Sequence, residues 1–395
     1  MVLRHPNAST TGVNPPLVCL LCGMEVPATC DSGITDICEH GQIHDQIPKQ
    51  SQWKGIWKSN LDHVVVPSHE IEEAYFSDFP RLWACFCRVI IKESDTKYRL
   101  TGINIARHHA GYPYYTPNDP AMARIGGRKG PDNQPVGGRR INQYDDPGFT
   151  QFYAANIGRQ PSQYKGKLLG YLIHAHCWVL FGRVEGLKLK EAKLAKLVQV
   201  CRNYWRNNKL WRLNDYNVQF IKPRQVLSEF EYGFDIYQNP LVVPEVQKAM
   251  NCAPVESLRE SRSRHLPSHL NSIPLEVAAL IAEWVCPVKY TLDDIKNTGN
   301  MLLVFEWKLP EWFWKGRLDE RSFIELDKPK KARSPVSWQL RLNLMCLVVD
   351  RTRFSSNGLA SRERVLGVLL DLENAYLNQA KTSQGERLRR KEIAN

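Results

Sequence analysis

The spacing of apolar positions changes several times along the chain, and each change marks a candidate element. Between Trp53 and Ile105, short apolar or aromatic runs (Val64–Val66, Leu82–Phe86, Arg88–Ile91) alternate with polar breaks. That pattern predicts strands or short mixed elements. From 112 to 160 the periodicity lapses, and Gly126-Gly127, Gly130-Pro131 and Gly137-Gly138 punctuate a run of Asn, Asp and Arg. Such a stretch predicts a flexible surface loop, in whole or part. Helical spacing returns over Leu187–Trp205, where Leu194, Leu197, Val198, Cys201, Tyr204 and Trp205 share a face opposite Lys, Glu and Arg. An apolar stripe of this kind packs into a core.

Residues 257–268 are charged and polar and read as a linker. Beyond it, Pro274 suits a first helical turn and Glu276 complements the helix dipole. Val277, Leu280, Ile281 and Trp284 then recur at i, i+3, i+4 and i+7, forming one apolar face that Pro287 ends. Thr291-Leu-Asp-Asp294 has the form of a capping box with Asp in place of Glu, opening a second short helix that Gly299 closes. Met301–Phe305 predicts a third element, followed by Leu309-Pro-Glu-Trp-Phe-Trp314. Near the end, Val365, Leu366, Val368, Leu369, Leu372 and Tyr376 mark another amphipathic helix.

The expected fold class is therefore α+β. A tail (1–16) precedes a Cys-containing mixed domain (17–256) with a flexible loop near 112–160. The linker (257–268), a helical domain (269–326) and a C-terminal helical region (327–395) complete the chain.

Composition narrows the function classes. The net charge of +12 raises the odds of an acidic partner, nucleic acid included. Its clusters, Arg124, Arg128, Lys129, Arg139 and Arg140 in the loop and Arg387, Arg389, Arg390 and Lys391 near the end, lack interleaved aromatics. Solvated surface is the favoured reading. No window approaches a membrane span, and no signal-peptide stretch precedes Cys19. The chain is expected in the cytoplasm or nucleus with no membrane partner, its 11 cysteines being thiols or metal ligands.

Cys19-Leu-Leu-Cys22-Gly23 has the form of a zinc knuckle, two thiolates brought together by a turn that Gly closes. His174-Ala-His-Cys177 offers His174 and Cys177 at i, i+3, the arrangement that completes four-coordination in treble-clef-like sites. Three readings stay open. A split site uses Cys19, Cys22, His174 and Cys177 as a structural zinc centre. A local site adds to Cys19 and Cys22 two of Cys30, Cys38, His40 and His44. The third reading is free buried thiols with a satisfied histidine.

The segment from Ser272 to about Arg317 resembles an F-box, with its Ile273-Pro274-Leu-Glu276-Val277 opening. Leu309–Leu318 is similar to the LPxxYWRSRF-like run that follows the F-box in a family of filamentous-fungal proteins. Ser355-Ser-Asn-Gly-Leu-Ala-Ser-Arg-Glu-Arg-Val365 is similar to that family's SxGLxNRxRI segment, with Ala360 where the family has Asn. Its CxxCG and HxxCW motifs match Cys19–Gly23 and His174–Trp178. The resemblance implies a substrate-recognition subunit of an SCF-type ubiquitin ligase. Ile273, Pro274, Val277, Leu280, Ile281 and Trp284 would dock on a Skp-type adaptor within a cullin ligase complex, and another surface would hold an unknown protein target.

No catalytic residue is assigned. Cys177 beside His174 and His176 fits ligand geometry better than a nucleophile and base, which separate parts of a fold normally supply. His108-His109 reads as surface histidines, and Asp145-Asp146 and Asp293-Asp294 as turn and cap chemistry. No GxSxG, HExxH, GxGxxG or kinase set is present. The alternatives to a ligase adaptor are a nucleic-acid or chromatin-associated zinc module and an F-box scaffold outside any ligase.

Overall fold

The β-branched and aromatic runs of the first half become strands. The computed structural model describes residues 17–24, 26, 63–76, 80–105, 114–127, 147–155, 157, 166–184, 193–207, 238–251, 273–326, 336–349 and 358–394. By internal packing the chain divides into two units, Met1–Ser228 with Arg364–Asn395, and Glu229–Glu363. This division is not the linear one read from composition, because the C-terminal segment groups by what its side chains bury rather than by its order in the chain.

The first unit holds strands β1 (His63–Pro67), β2 (Phe86–Lys92), β3 (Tyr98–Ile105), β4 (Tyr114–Pro117), β5 (Met122–Gly127), β6 (Phe149–Ala154) and β7 (Leu169–His174). They form one seven-stranded sheet in the order β1-β5-β3-β2-β7-β6-β4. Most neighbours are antiparallel, with β3–β5 and β6–β7 parallel. The sheet curls. Thr116 on the last strand in that order reaches back to β3, its hydroxyl 3.0 Å from that of Thr101 and donating to the Gly102 carbonyl at 3.0 Å. Strand β2 is buried on both faces over Phe86–Ile91, as a central strand of a covered sheet requires. Leu82–Cys85, in a run read as strand or short mixed element, belongs to a 3-10 turn over Pro80–Cys85.

Three strands, β4, β5 and β6, lie inside the stretch read as loop. Each is only four to six residues long. Their partners are distant in sequence, β1 for β5 and β6 for β4, so no local periodicity announces them. Helices α1 (Ser68–Glu72), α2 (Ala175–Phe181) and α3 (Leu194–Asn207) accompany the sheet. On α3 the expected face is buried through Leu194, Leu197, Val198, Cys201 and Trp205. The long C-terminal helix α8 (Gly358–Ala394) buries Val365, Leu366, Val368, Leu369, Leu372 and Tyr376. Tyr204 of α3 donates to Asp371 at 3.1 Å, and the Lys196 ammonium lies 4.1 Å from the Tyr376 ring centroid.

The second unit contains α4 (Leu275–Val285), α5 (Leu292–Phe305), α6 (Glu311–Lys315), α7 (Trp338–Val349) and the first residues of α8. The capping box forms: the Thr291 N–H donates to Asp294 Oδ2 at 2.8 Å, and the Asp294 N–H to Thr291 Oγ1 at 3.3 Å. Gly299, however, does not stop the helix. α5 continues through Met301–Phe305 as one element and ends at Glu306, which takes the left-handed conformation with φ 54°. Gly299 serves packing instead, since a Cβ there would lie 3.3 Å from Leu342 Cδ1 of α7. The Leu309–Leu318 run is a core piece: Phe313, Trp314 and Leu318 are buried. Arg317 stacks on Phe313 at 3.8 Å and donates to the Cys286 and Phe313 carbonyls at 2.6 and 2.8 Å.

Arg362 is fully buried in this unit. It makes a bidentate pair with Glu325 at 2.8 and 2.9 Å and donates to the carbonyls of Pro240, Ser322 and Leu241, each at 2.7 Å. Removing one partner of a buried pair leaves the other charge uncompensated. Arg362→Met is therefore expected to cost about 3–5 kcal/mol, read as a fall in the chemical denaturation midpoint of the full chain. An unchanged midpoint would contradict this. Among the described residues, no helix is long and apolar enough to cross a membrane.

Candidate functional site

The CxxCG segment forms a tight hairpin turn. The Cys19 N–H donates to the Met24 carbonyl at 2.8 Å, and the Gly23 N–H returns to the Cys19 carbonyl at 2.9 Å. Gly23 sits at φ +68°, where L side chains are strained. A Cβ there would also fall 2.5 Å from the Trp205 indole. Trp205 donates its Nε1–H to the Leu20 carbonyl at 2.7 Å, so the indole both covers the turn and holds it. Gly23→Ala combines a backbone penalty with a clash. It is expected to destabilise the protein by more than about 1 kcal/mol, measured as a lower unfolding midpoint.

The knuckle joins the sheet through one backbone bond, Leu20 N–H to the Leu172 carbonyl of β7 at 2.8 Å. Two residues on, β7 ends at His174, which is the N-cap of α2, and Cys177 follows in the first turn of that helix. This registry brings residues from 19 to 177 together. One ligand atom from each of Cys19, Cys22, His174 and Cys177 lies within 4.8 Å of the others, and all four side chains are buried. His174 Nδ1 is 3.4 Å from Cys22 Sγ and 3.8 Å from Cys177 Sγ, while the His174 N–H donates to Cys19 Sγ at 3.3 Å. A tetrahedral zinc site with the usual bond lengths has sulfur–nitrogen edges of about 3.6 Å and sulfur–sulfur edges of about 3.8 Å. The two sulfur–nitrogen distances lie close to that edge and no two donor atoms are more than 4.8 Å apart, so the set could hold a metal ion.

Electrostatics within the cluster agree. Burial works against ionisation of Cys22, but its contacts with Cys177 and Cys19 and the His174 charge hold the thiol well below its usual range. Burial likewise opposes protonation of His174, yet the Cys19 and Cys22 sulfurs push it up to about 10. Burial, with Cys19 and Cys22 beside it, drives Cys177 well up. Ionisable protons are thus shared among groups that a cation would bind in deprotonated form, and metal binding would release them. Cys87, the register partner of His174 on β2, is a further thiol close by. Burial, then the Cys19, Cys85 and Cys22 sulfurs, push it well up, and it remains a neutral core group. Trp83 walls the site, edge-on to His174 at 5.1 Å and stacked on His176 at 5.8 Å. His176 is no ligand; its Nε2 is 2.9 Å from the Ile71 carbonyl oxygen. Of the local alternative, Cys30, Cys38, His40 and His44 lie outside the described residues, as do His108-His109 and Asp145-Asp146.

The second candidate feature is α4. Its inward face consists of Ala278, Ala279 and Ala282, all buried. The face read from the sequence points the other way: Val277 is 43% exposed, Leu280 57%, Ile281 40% and Trp284 89%. Ile273 packs partly against the unit's core, and Pro274 is exposed at the N-cap. The sequence reading missed Leu275, Val288 and Leu292, which are also exposed. Hydropathy at those positions could have flagged them, but only burial shows that the small alanines, not the large residues, face inward.

One of the loop cations changes character. Arg124 lies in β5 and is buried, so it is not a surface contact for phosphate. Arg128, Lys129, Arg139 and Arg140 lie outside the described residues. Compared with protein-family models, with curated proteins and with solved structures, the chain matches none.

Proposed function

We propose that this chain is an F-box adaptor, the substrate-recognition subunit of an SCF-type ubiquitin ligase, acting inside the cell in the cytoplasm or nucleus. One observation carries the reading: the fully buried residues of α4 are alanines, with Val285 partly buried, while Val277, Leu280, Ile281 and Trp284 lie open to solvent on one face. Large apolar side chains grouped in this way mark an interaction surface, whereas single scattered ones need no explanation. The i, i+3, i+4, i+7 spacing suits a helix laid into an apolar groove, and a Trp exposed at 89% is the kind of anchor on which such interfaces depend. The occupant we assign is a Skp-type adaptor within a cullin ligase complex. The role is non-catalytic: the chain raises the local concentration of a protein target near a ubiquitin-loaded enzyme.

In the same proposal Cys19, Cys22, His174 and Cys177 hold one structural zinc ion. Three thiolates and an imidazole suit zinc in a closed tetrahedral site with no open position. The zinc would order the first unit and leave its surface to present a target. Nucleic-acid binding is less favoured, since Arg124 is buried. The test is direct binding of the purified full chain to a purified Skp-type adaptor. Failure to bind at micromolar concentrations sinks the adaptor reading, and salt-sensitive binding to random DNA instead would favour the nucleic-acid one.

A further inference from the structure

Three thiolates and one neutral imidazole around a divalent ion carry one surplus negative charge. All four side chains of the cluster are buried, so water does not offset that charge. A partly buried cation reaches the turn that carries two of these residues. Arg364 of α8 donates from Nη1 to the carbonyl oxygen of Cys22 at 3.3 Å. Its Nε and Nη2 atoms are buried and have no hydrogen-bond partner among the described residues. A guanidinium cannot shed its proton, so its two buried, unpartnered nitrogens favour a nearby negative charge. With an ion bound, the cluster's surplus negative charge and the two unpartnered guanidinium nitrogens would each supply what the other lacks.

We propose that Arg364 is a positioning residue of the metal centre, a role that rests on the metal reading above. It fixes the CxxC turn by holding the Cys22 carbonyl, and its charge offsets the surplus negative charge of the tris-thiolate ion. Two side chains then hold carbonyls of the turn, Trp205 that of Leu20 and Arg364 that of Cys22. Arg364 also gives a physical reason for the second arginine of the Ser361-Arg-Glu-Arg364 run, whose first arginine, Arg362, serves Glu325 in the second unit.

The experiment measures zinc affinity of the full chain by competition with a chromophoric chelator, and the sulfur-to-metal charge-transfer band of the cobalt-substituted protein. Arg364→Met is expected to weaken zinc binding by roughly 10- to 100-fold, the usual effect of losing an outer partner of a metal ligand, and to shift the cobalt band. Arg364→Gln keeps a donor for the Cys22 carbonyl but no charge, and is expected to behave like Arg364→Met. It also serves if Arg364→Met does not fold. Arg364→Lys restores the charge and is expected to recover most of the affinity and the band. Wild-type affinity in Arg364→Gln, or equal losses in the Lys and Met variants, would overturn the charge role. A wild-type chain that takes up neither zinc nor cobalt overturns the metal reading itself, and the role of Arg364 with it.

Discussion

Cys177→Ser is expected to strip the protein of its metal and loosen the first unit, while Cys38→Ser leaves both intact. The magnitude follows from how the site is assembled. Cys19 and Cys22 sit in a turn tied to β7 by one backbone bond, and His174 and Cys177 sit at the end of β7 and the start of α2. An ion held by all four closes a loop of more than 150 residues, and without it the turn depends on hydrogen bonds with Leu172, His174, Trp205 and Arg364. Structural zinc contributes on the order of 10–16 kcal/mol in zinc-finger peptides, as large as the whole net stability of a typical domain, about 5–15 kcal/mol. Even a fraction of that decides whether the unit stays folded. Elemental analysis is expected to find about one zinc per chain in wild type and in Cys38→Ser, and none in Cys177→Ser. Chelation is expected to expose the first unit to limited proteolysis. Metal kept in Cys177→Ser and lost in Cys38→Ser would transfer the site to the local cysteines. Because His174 and the thiols bind in deprotonated form, acid competes with the ion, and zinc retention is expected to fall as pH drops.

The second large effect lies on α4. The double variant Leu280→Asp, Ile281→Asp is expected to abolish co-purification with a Skp-type adaptor without unfolding the chain. Both residues are exposed, at 57% and 40%, so the substitutions remove little buried area, and exposed sites away from special features usually change stability by about 0.5 kcal/mol or less. At an interface, by contrast, the same two carboxylates would be desolvated without partners in an apolar groove. Each unpaired buried charge costs several kcal/mol, enough to take a micromolar complex beyond detection. A contrasting substitution on the inward face makes the control: Ala282→Asp buries a charge in the second unit's core and is expected to unfold it. A circular dichroism spectrum and a binding assay on both variants separate the two cases. Wild-type adaptor binding by the double variant would remove α4 from the interface.

Some of this was legible in the sequence because its physics is local. Residue spacing alone marks the buried face of α3, the capping box at Thr291–Asp294 and the apolar stripe of α8. Each depends on neighbours within two turns of a helix. The candidate metal donors were legible for a different reason: cysteine and histidine at i, i+3 narrow the chemistry to a few possibilities, although spacing alone does not bring Cys19 and Cys22 to His174 and Cys177. Gly299 misled because glycine both ends helices and lets them approach. Only the position of Leu342 tells which applies.

Local patterns in the chain thus supply the candidate groups: the α+β class, the thiol and imidazole donors, and an apolar face on α4. Tertiary structure alone decided how they are used. Strands β4, β5 and β6 are short, and their identity lies in pairing with distant partners, an energy that no window of sequence contains. Cys19 and Cys177 meet because Leu20 bonds to Leu172. Arg364 meets the Cys22 carbonyl because α8 brings its guanidinium there, a contact between residues 342 positions apart. Whether an apolar face is core or docking surface depends on which side of the helix the rest of the unit covers, and in α4 it covers the alanines.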